Sequence, residues 1–123
     1  MKLINRCRFL LIALFAFLNP FKLFAQDAPK LKYIVLDFYA DWCGPCVSMK
    51  QRVWNNDSVK KELENFDFYE IDIDTDKKYP KIYGVQSIPC VVMVSYDGSK
   101  YKEVKRFVGA RTIGFVLNWL KAK

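Results

Sequence analysis

The order of the elements predicted after residue 30 indicates an α/β protein. The apolar run Tyr33–Tyr39 predicts a buried strand, and the alternating segment Phe68–Ile73 predicts a second strand. A helical pattern follows each of them, and a hairpin that turns at Asp97-Gly98 precedes a last helix. Strands and helices that alternate in this way are typical of a central sheet flanked by helices.

Turn residues and helix-capping residues indicate where the other elements begin and end. These elements are helices over Cys43–Trp54, Val59–Asn65 and Lys77–Tyr83, and hairpin strands over Cys90–Tyr96 and Lys102–Phe107. We expect Asp57 or Ser58 to cap the second helix and Gly84 to end the third. Thr112 is expected to cap the last helix, whose apolar face comprises Ile113, Val116, Leu117 and Leu120.

The first 25 residues have the three-part pattern of a secretory signal peptide. The basic residues Lys2, Arg6 and Arg8 precede the apolar run 9–18, and Ala25 provides a small residue for cleavage. The run is about half as long as the ~20 residues of a membrane-spanning helix. We therefore expect a signal peptide over 1–25, a domain over 26–123 and a periplasmic location, with an uncleaved membrane anchor as the alternative.

Composition argues against several classes of function. Cleavage after Ala25 would remove four basic residues and no acidic ones, which lowers the formal net charge from +7 to +3 and leaves little support for nucleic-acid binding. The chain has no His, and three remaining Cys are too few for a tetrahedral zinc site. Asp72, Asp74 and Asp76 lack the Gly-containing loop and closing Glu of a calcium site, which indicates a solvated strand end. We expect neither a metal nor a cofactor.

Two cysteines separated by two residues, Cys43 and Cys46, are the most informative feature of the chain. Pro45 between them favours the start of a helix, because its missing N–H would be unsatisfied there. Cys43 then lies at the helix N-terminus, where the helix dipole favours the thiolate that attacks disulfides. This arrangement indicates a redox centre rather than a structural disulfide.

One acidic residue, Asp37, interrupts the apolar strand that leads into the cysteines. A carboxyl group buried in a strand loses its solvation, so the pKa of Asp37 should rise. At this spacing Asp37 could lie behind Cys46 and exchange a proton with it. The alternative is an edge-strand residue that faces solvent.

Three motifs resemble those of a known family. The segment Val35–Cys46, VLDFYADWCGPC, resembles the active-site signature of thioredoxins, and Ile88-Pro89 and Val108-Gly109-Ala110 match two further motifs in order and spacing. The resemblance implies a thioredoxin fold, with a central mixed sheet of about four strands flanked by helices. Because only eleven residues separate the cleavage point from Asp37, we expect the N-terminal strand and helix of full-length thioredoxins to be missing.

The segment after the cysteines departs from most thioredoxins. Gln51 stands where a Pro usually kinks the first helix. The segments Tyr39–Cys43 and Val53–Val59 are more similar to a periplasmic subgroup that includes the C-terminal domain of DsbD-type reductant-transfer proteins.

The resemblance implies a role for each site residue. Cys43 is the nucleophile, Cys46 the resolving thiol of the same redox disulfide, and Asp37 the group that moves the proton at Cys46. Ile88-Pro89 is expected to be a cis peptide bond that exposes the Ile88 backbone to an extended substrate. The alternative for Pro89 is a residue that only starts the next strand. Substrate contacts are assigned to Trp42, Gly44, Pro45, Ile88 and Pro89.

Two residues keep open alternatives. Cys90 is either a small buried side chain in a central strand or a third thiol close enough to Cys43 or Cys46 to modulate the pair. Glu70 falls where many thioredoxins have a Lys near the buried Asp, which would make Asp37 harder to deprotonate. The alternative is that Glu70 faces outward on an alternating strand.

These observations predict a thiol–disulfide oxidoreductase of the cell envelope that reduces protein disulfides. A reductase in an oxidising compartment needs electrons from outside, which implies a membrane thiol electron donor besides the disulfide-containing protein substrates. We expect a monomer. The alternatives are a disulfide isomerase or apocytochrome c thiol reductase and, from another class, a non-catalytic binding module that uses the groove at Pro89.

Overall fold

A computed structural model describes residues 30–123, so the predicted signal peptide and its cleavage point lie outside the described residues. The elements are β1 (Lys32–Tyr39), α1 (Gly44–Met49), α2 (Asp57–Leu63), β2 (Asp67–Asp72), α3 (Lys78–Ile82), β3 (Cys90–Tyr96), β4 (Tyr101–Val108) and α4 (Ile113–Lys121). Their order confirms the predicted α/β class. Among residues 30–123, no helix has the length and apolar character needed to cross a membrane.

The four strands form one mixed sheet in the order β2-β1-β3-β4. Strand β1 pairs in parallel with β2 and antiparallel with β3, and β3 and β4 form the predicted hairpin. The parallel pair requires a crossover, which α1 and α2 provide. The described residues thus confirm the prediction of a mixed four-stranded sheet, and β1 is hydrogen-bonded on both sides.

The sheet separates two apolar layers, because successive side chains of a strand point to opposite faces. Val35 and Met93 pack on one face against α1, α2 and α4, where Val116 and Leu120 of α4 are fully buried. Phe38 packs on the other face, on the side of α3. Alternate residues of β1 therefore belong to different cores, and Asp37 shares the α1 face with Val35.

The predicted caps are partly confirmed. Gly84 follows α3 with a φ of 58°, the left-handed conformation that ends helices. The side chain of Thr112 accepts a hydrogen bond from the Phe115 backbone N–H at the start of α4. The prediction for α2 is wrong by one residue: Asn56 is its cap, because the Asn56 side chain accepts hydrogen bonds from the backbone N–H groups of Ser58 and Val59.

The end of the first helix is π-helical rather than kinked by Pro. The segment Lys50–Trp54 continues α1, and the Asn55 backbone N–H donates to the Lys50 carbonyl at 3.2 Å, a bond that spans five residues. This segment includes Gln51, the residue at the position of the usual Pro. A π-helical hydrogen bond encloses one more residue than an α-helical one, which shifts the residues that follow around the helix axis. Val53 and Trp54 are buried at its end.

Candidate active site

The turn between β1 and α1 positions the two cysteines. The Cys43 backbone N–H donates to the Ala40 carbonyl at 3.1 Å, and Cys43 is the N-terminal cap of α1. Cys43 and Cys46 form a disulfide and are each 5% exposed. The Cys46 backbone N–H donates to Cys43 Sγ at 3.3 Å. Since this N–H belongs to the first helical turn, it also stabilises a thiolate on Cys43 when the pair is reduced.

The Ile88–Pro89 peptide bond is cis, as the resemblance implied. The residue that follows β4 anchors this loop, since the Gly109 backbone N–H donates to the Pro89 carbonyl at 2.8 Å. Ile88 packs against the cluster that contains both cysteines. The motif pairs predicted from the sequence, Ile88-Pro89 and Val108-Gly109, are therefore in direct contact.

An open groove with a volume of about 570 Å³ passes over Cys43 of the disulfide. Cys46 does not line it, and Pro89, which was also assigned a substrate contact, is fully buried. Five of its lining residues were predicted as site residues: Trp42, Cys43, Gly44, Pro45 and Ile88. Sequence reasoning missed the other five, which are Ile73, Pro80, Val85, Gln86 and Ser87. Gln86 and Ser87 directly precede Ile88-Pro89, and that proximity was the one signal that could have identified them.

Trp42 presents an exposed edge to this groove. Its side chain is 69% exposed, and its Nε1 donates to Asp74 Oδ2 at 2.8 Å. The exposure argues against a role in core packing alone. The two neighbouring carboxylates accept hydrogen bonds from the backbone. Asp72 accepts from the Asp74 N–H, and Asp76 accepts from two N–H groups at the start of α3. The strand end predicted to be solvated thus holds the Trp42 indole.

Asp37 is buried on the α1 face of the sheet. It is 4% exposed, and its Oδ1 has no hydrogen-bond partner within residues 30–123. Burial raises the pKa of Asp37 to about 7, and the Glu70 carboxylate raises it as well. The Trp54 indole and the Lys50 ammonium act in the opposite direction, although Trp54 Nε1 does not reach hydrogen-bond geometry. A carboxyl group with this pKa can accept or release a proton near neutral pH.

Glu70 lies beside Asp37 rather than apart from it. The two residues are paired in the register of β1 and β2. Lys50, which sequence reasoning missed, forms an ion pair with Glu70 at 3.1 Å. Its position four residues after Cys46 on the same helix was the available signal. The Lys50 cation therefore lies near Asp37, although it comes from the helical segment and not from the strand, and it is paired with the Glu70 carboxylate.

Cys90 belongs to the opposite core. It is 1% exposed and packs with Phe38 and Val92, outside the cluster that holds Cys43 and Cys46. Burial raises the pKa of the Cys90 thiol, which disfavours the reactive thiolate. This placement supports the interpretation as a buried core side chain over that of a third reactive thiol.

The fold and the dithiol define a class, the thiol–disulfide oxidoreductases. A family model described as Thioredoxin matches residues 19–122 of the chain. The thioredoxin of Rickettsia typhi is 32% identical over 88 residues, which cover 71% of this chain and 77% of the relative. The thioredoxin of Borreliella burgdorferi is 39% identical over 65 residues, but the match spans only about half of each protein (52% and 53%).

Solved structures of similar fold also belong to thioredoxins and related domains. Trichomonas vaginalis thioredoxin superposes with a TM-score of 0.63 at 29% identity and covers 76% of this chain and 79% of its own. The C-terminal domain of Neisseria meningitidis DsbD, in the reduced form, superposes with a TM-score of 0.60 at 32% identity. The match covers 73% of this chain and 79% of that domain. The chain belongs to the thioredoxin family and is a disulfide oxidoreductase of that family.

Replacing Asp37 with Asn should stabilise the oxidised protein in a pH-dependent way. The folded pKa of about 7 exceeds the ordinary value of 3.8, so Asp37 costs nothing below pH 3.8. As the pH rises toward 7, the unfolded chain ionises while the folded carboxyl stays protonated, and stability is lost until the cost becomes constant. We expect Asp37→Asn to raise the free energy of unfolding by roughly 2–4 kcal/mol at pH 8 and by clearly less at pH 5.

Urea unfolding of the oxidised protein at both pH values measures this effect. The exposed Asp67→Asn variant is the matched control and should change little at either pH. An equal gain for Asp37→Asn at pH 5 and pH 8 would contradict the raised pKa.

Cys90 should resist alkylation in the folded, oxidised protein. Because its thiol is buried, we expect labelling at least about a hundredfold slower than in urea, since it requires opening of the core. Peptide mass spectrometry assigns the label to Cys90. Equal labelling rates with and without urea would show instead that the thiol is accessible and available for chemistry.

Proposed function

We propose that this protein reduces disulfides of other proteins in the cell envelope, with Cys43 as nucleophile, Cys46 as resolving thiol and Asp37 as proton acceptor. One observation carries the proposal: Cys43 of a disulfide at a helix N-terminus lines an open groove, together with Ile88 of a cis-proline loop. A polypeptide in this groove could pair with the Ile88 backbone, while the apolar groove walls contact its side chains.

The first step forms a mixed disulfide. The Cys43 thiolate attacks one sulfur of the substrate disulfide, a new S–S bond forms between them, and the other substrate sulfur leaves as a thiolate that solvent protonates. Next, the Asp37 carboxylate takes the proton of the Cys46 thiol. The Cys46 thiolate attacks Cys43 Sγ, which restores the intramolecular disulfide and releases the second substrate thiolate. Two electrons have then moved from the cysteine pair to the substrate.

Asp37 suits the second step because of where it is buried. It lies on the sheet face that α1 covers, and α1 carries Cys46. Its pKa of about 7 leaves a fraction of carboxylate available as a base at neutral pH. The desolvated carboxylate is also a stronger base than an exposed one, so it is better matched to the proton of a thiol.

The dipeptide between the cysteines supports reduction as the net direction. Gly44-Pro45 is the dipeptide of reducing thioredoxins, whose reduction potentials are roughly −270 mV. Each turnover leaves Cys43 and Cys46 oxidised, so an external dithiol must restore them. In an oxidising compartment we propose a thiol donor embedded in the membrane. The similarity to the C-terminal domain of DsbD supports a place in such a relay.

Insulin reduction with dithiothreitol as electron source tests the catalytic assignment. Cys43→Ser should lower the rate at least about a hundredfold, because the attacking thiolate is lost. Cys46→Ala should stall as a mixed disulfide with the substrate, visible on a non-reducing gel. Cys90→Ala is the matched control and should retain full activity.

Equal rates for the wild type and Cys43→Ser would refute the catalytic role of Cys43. If both rates equal that of dithiothreitol alone, the binding module is the explanation. A reduction potential close to about −120 mV, the strongly oxidising end of the range, would reverse the proposed direction.

Fractionation tests the location. The pattern of basic residues, apolar run and small residue over 1–25 supports export and cleavage, so we expect a periplasmic product that begins at Gln26. Changing Lys2, Arg6 and Arg8 together to Glu should block export and leave the precursor in the cytoplasm. Unprocessed wild-type protein in the cytoplasmic fraction would contradict the proposal, and unprocessed protein in the membrane fraction would favour the uncleaved anchor.

A further inference from the structure

Three charged residues share the sheet face beneath α1. Asp37 and Glu70 are directly opposite each other in the parallel register of β1 and β2, so both side chains point to the same face. Lys50 reaches this face from the π-helical segment that continues α1, and its Nζ lies 3.1 Å from Glu70 Oε1. The helix that carries Cys46 is thus connected to the neighbour of Asp37 by an ion pair.

The three residues differ sharply in solvent access. Asp37 is 4% exposed, whereas the side chains of Glu70 and Lys50 are 34% and 54% exposed. A cavity of about 300 Å³ is lined by Lys50, Glu70 and Trp54, the indole that also neighbours Asp37. The side chains of Glu70 and Lys50 therefore lie closer to solvent than the Asp37 carboxyl does.

The two neighbours act on Asp37 with opposite sign. The Glu70 carboxylate raises the pKa of Asp37, and the Lys50 ammonium lowers it. The ion pair with Glu70 raises the pKa of Lys50, so Lys50 remains a cation throughout the range in which Asp37 titrates. Of these two neighbours, Glu70 has the larger effect on the pKa of Asp37.

Other titratable groups on the surrounding elements contribute less. They are Cys46 on α1, Tyr39 on β1, Lys60 on α2 and Cys90 on β3. Cys46 carries no titratable proton in the disulfide, and Cys90 packs in the opposite core. Desolvation raises the pKa of Tyr39, which keeps it neutral near pH 7, and Lys60 is an exposed residue that lines the same cavity as Glu70.

We propose that Glu70 and Lys50 are positioning residues for proton transfer: the Glu70 carboxylate beside Asp37 adds to the effect of burial in favouring the protonated carboxyl, and Lys50, anchored to Glu70, limits that effect. The inference rests on the role of Asp37 proposed above. It adds a control point to the resolving step, because the fraction of Asp37 present as carboxylate sets how readily the Cys46 thiol loses its proton.

Carboxyl carbon NMR of ¹³C-aspartate-labelled protein tests the proposal in the oxidised state, in which Cys46 does not titrate. The Asp37 signal is assigned by its absence in Asp37→Asn. We expect Glu70→Gln to move the Asp37 titration midpoint to lower pH by about one pH unit, and Lys50→Gln to move it to higher pH. Glu64→Gln and Lys61→Gln make the same charge changes at exposed positions of the α2 region and should leave the midpoint unchanged.

Opposite shifts in the two variants support the proposal, because a general loosening of the structure would move both midpoints the same way. An unchanged midpoint in Glu70→Gln, or shifts of equal sign, overturns it. The pH profile of insulin reduction separates this result from the proposed function. If the midpoint moves but the profile of active enzyme does not follow, the control of Asp37 by the pair stands and the catalytic role of Asp37 fails.

Discussion

The double-sided pairing of β1 is the constraint on which the rest of the structure depends. Because β1 is hydrogen-bonded to β2 and to β3, its register is fixed from both sides. Alternation along the strand then decides which residues face α1, and Asp37 has no freedom to turn toward solvent. The same strand ends at Tyr39, and a short turn connects it to Cys43, so the position of the redox pair follows from the position of β1 in the sheet.

The buried carboxyl shows how this constraint produces chemistry. An exposed Asp is ionised at neutral pH and too weak a base to deprotonate a thiol efficiently. Holding Asp37 under α1 costs stability in the folded state but brings its pKa to about 7, close to neutral pH. Glu70 and the Lys50 cation adjust that value from partly exposed positions. A destabilising burial is thus retained where it serves the site.

Local signals in the sequence predicted most of the fold and the reacting groups. The Cys43–Cys46 spacing, the apolar runs and the Gly84 and Thr112 signals are short-range features whose physical effect does not depend on distant partners. The cap at Asn56 was not predicted, because it is a choice between neighbouring polar residues with similar propensity. The π-helical turn at Lys50–Trp54 was not predicted, because no local residue pattern marks the change in its hydrogen bonding. The cis bond before Pro89 was implied by the family resemblance rather than by local preference, which favours trans.

The sequence by itself determined the family, the order of elements and the identity of the cysteine pair, because each of these depends on residues that are close together in the chain. Tertiary structure alone decided which core receives Cys90, which residues of the loop before Pro89 line the groove, and whether Glu70 faces Asp37. It also brought in Lys50, a helical residue with no motif of its own, as the cation of the site. These outcomes depend on strand register and on helix packing across residues distant in sequence, and no local pattern encodes either one.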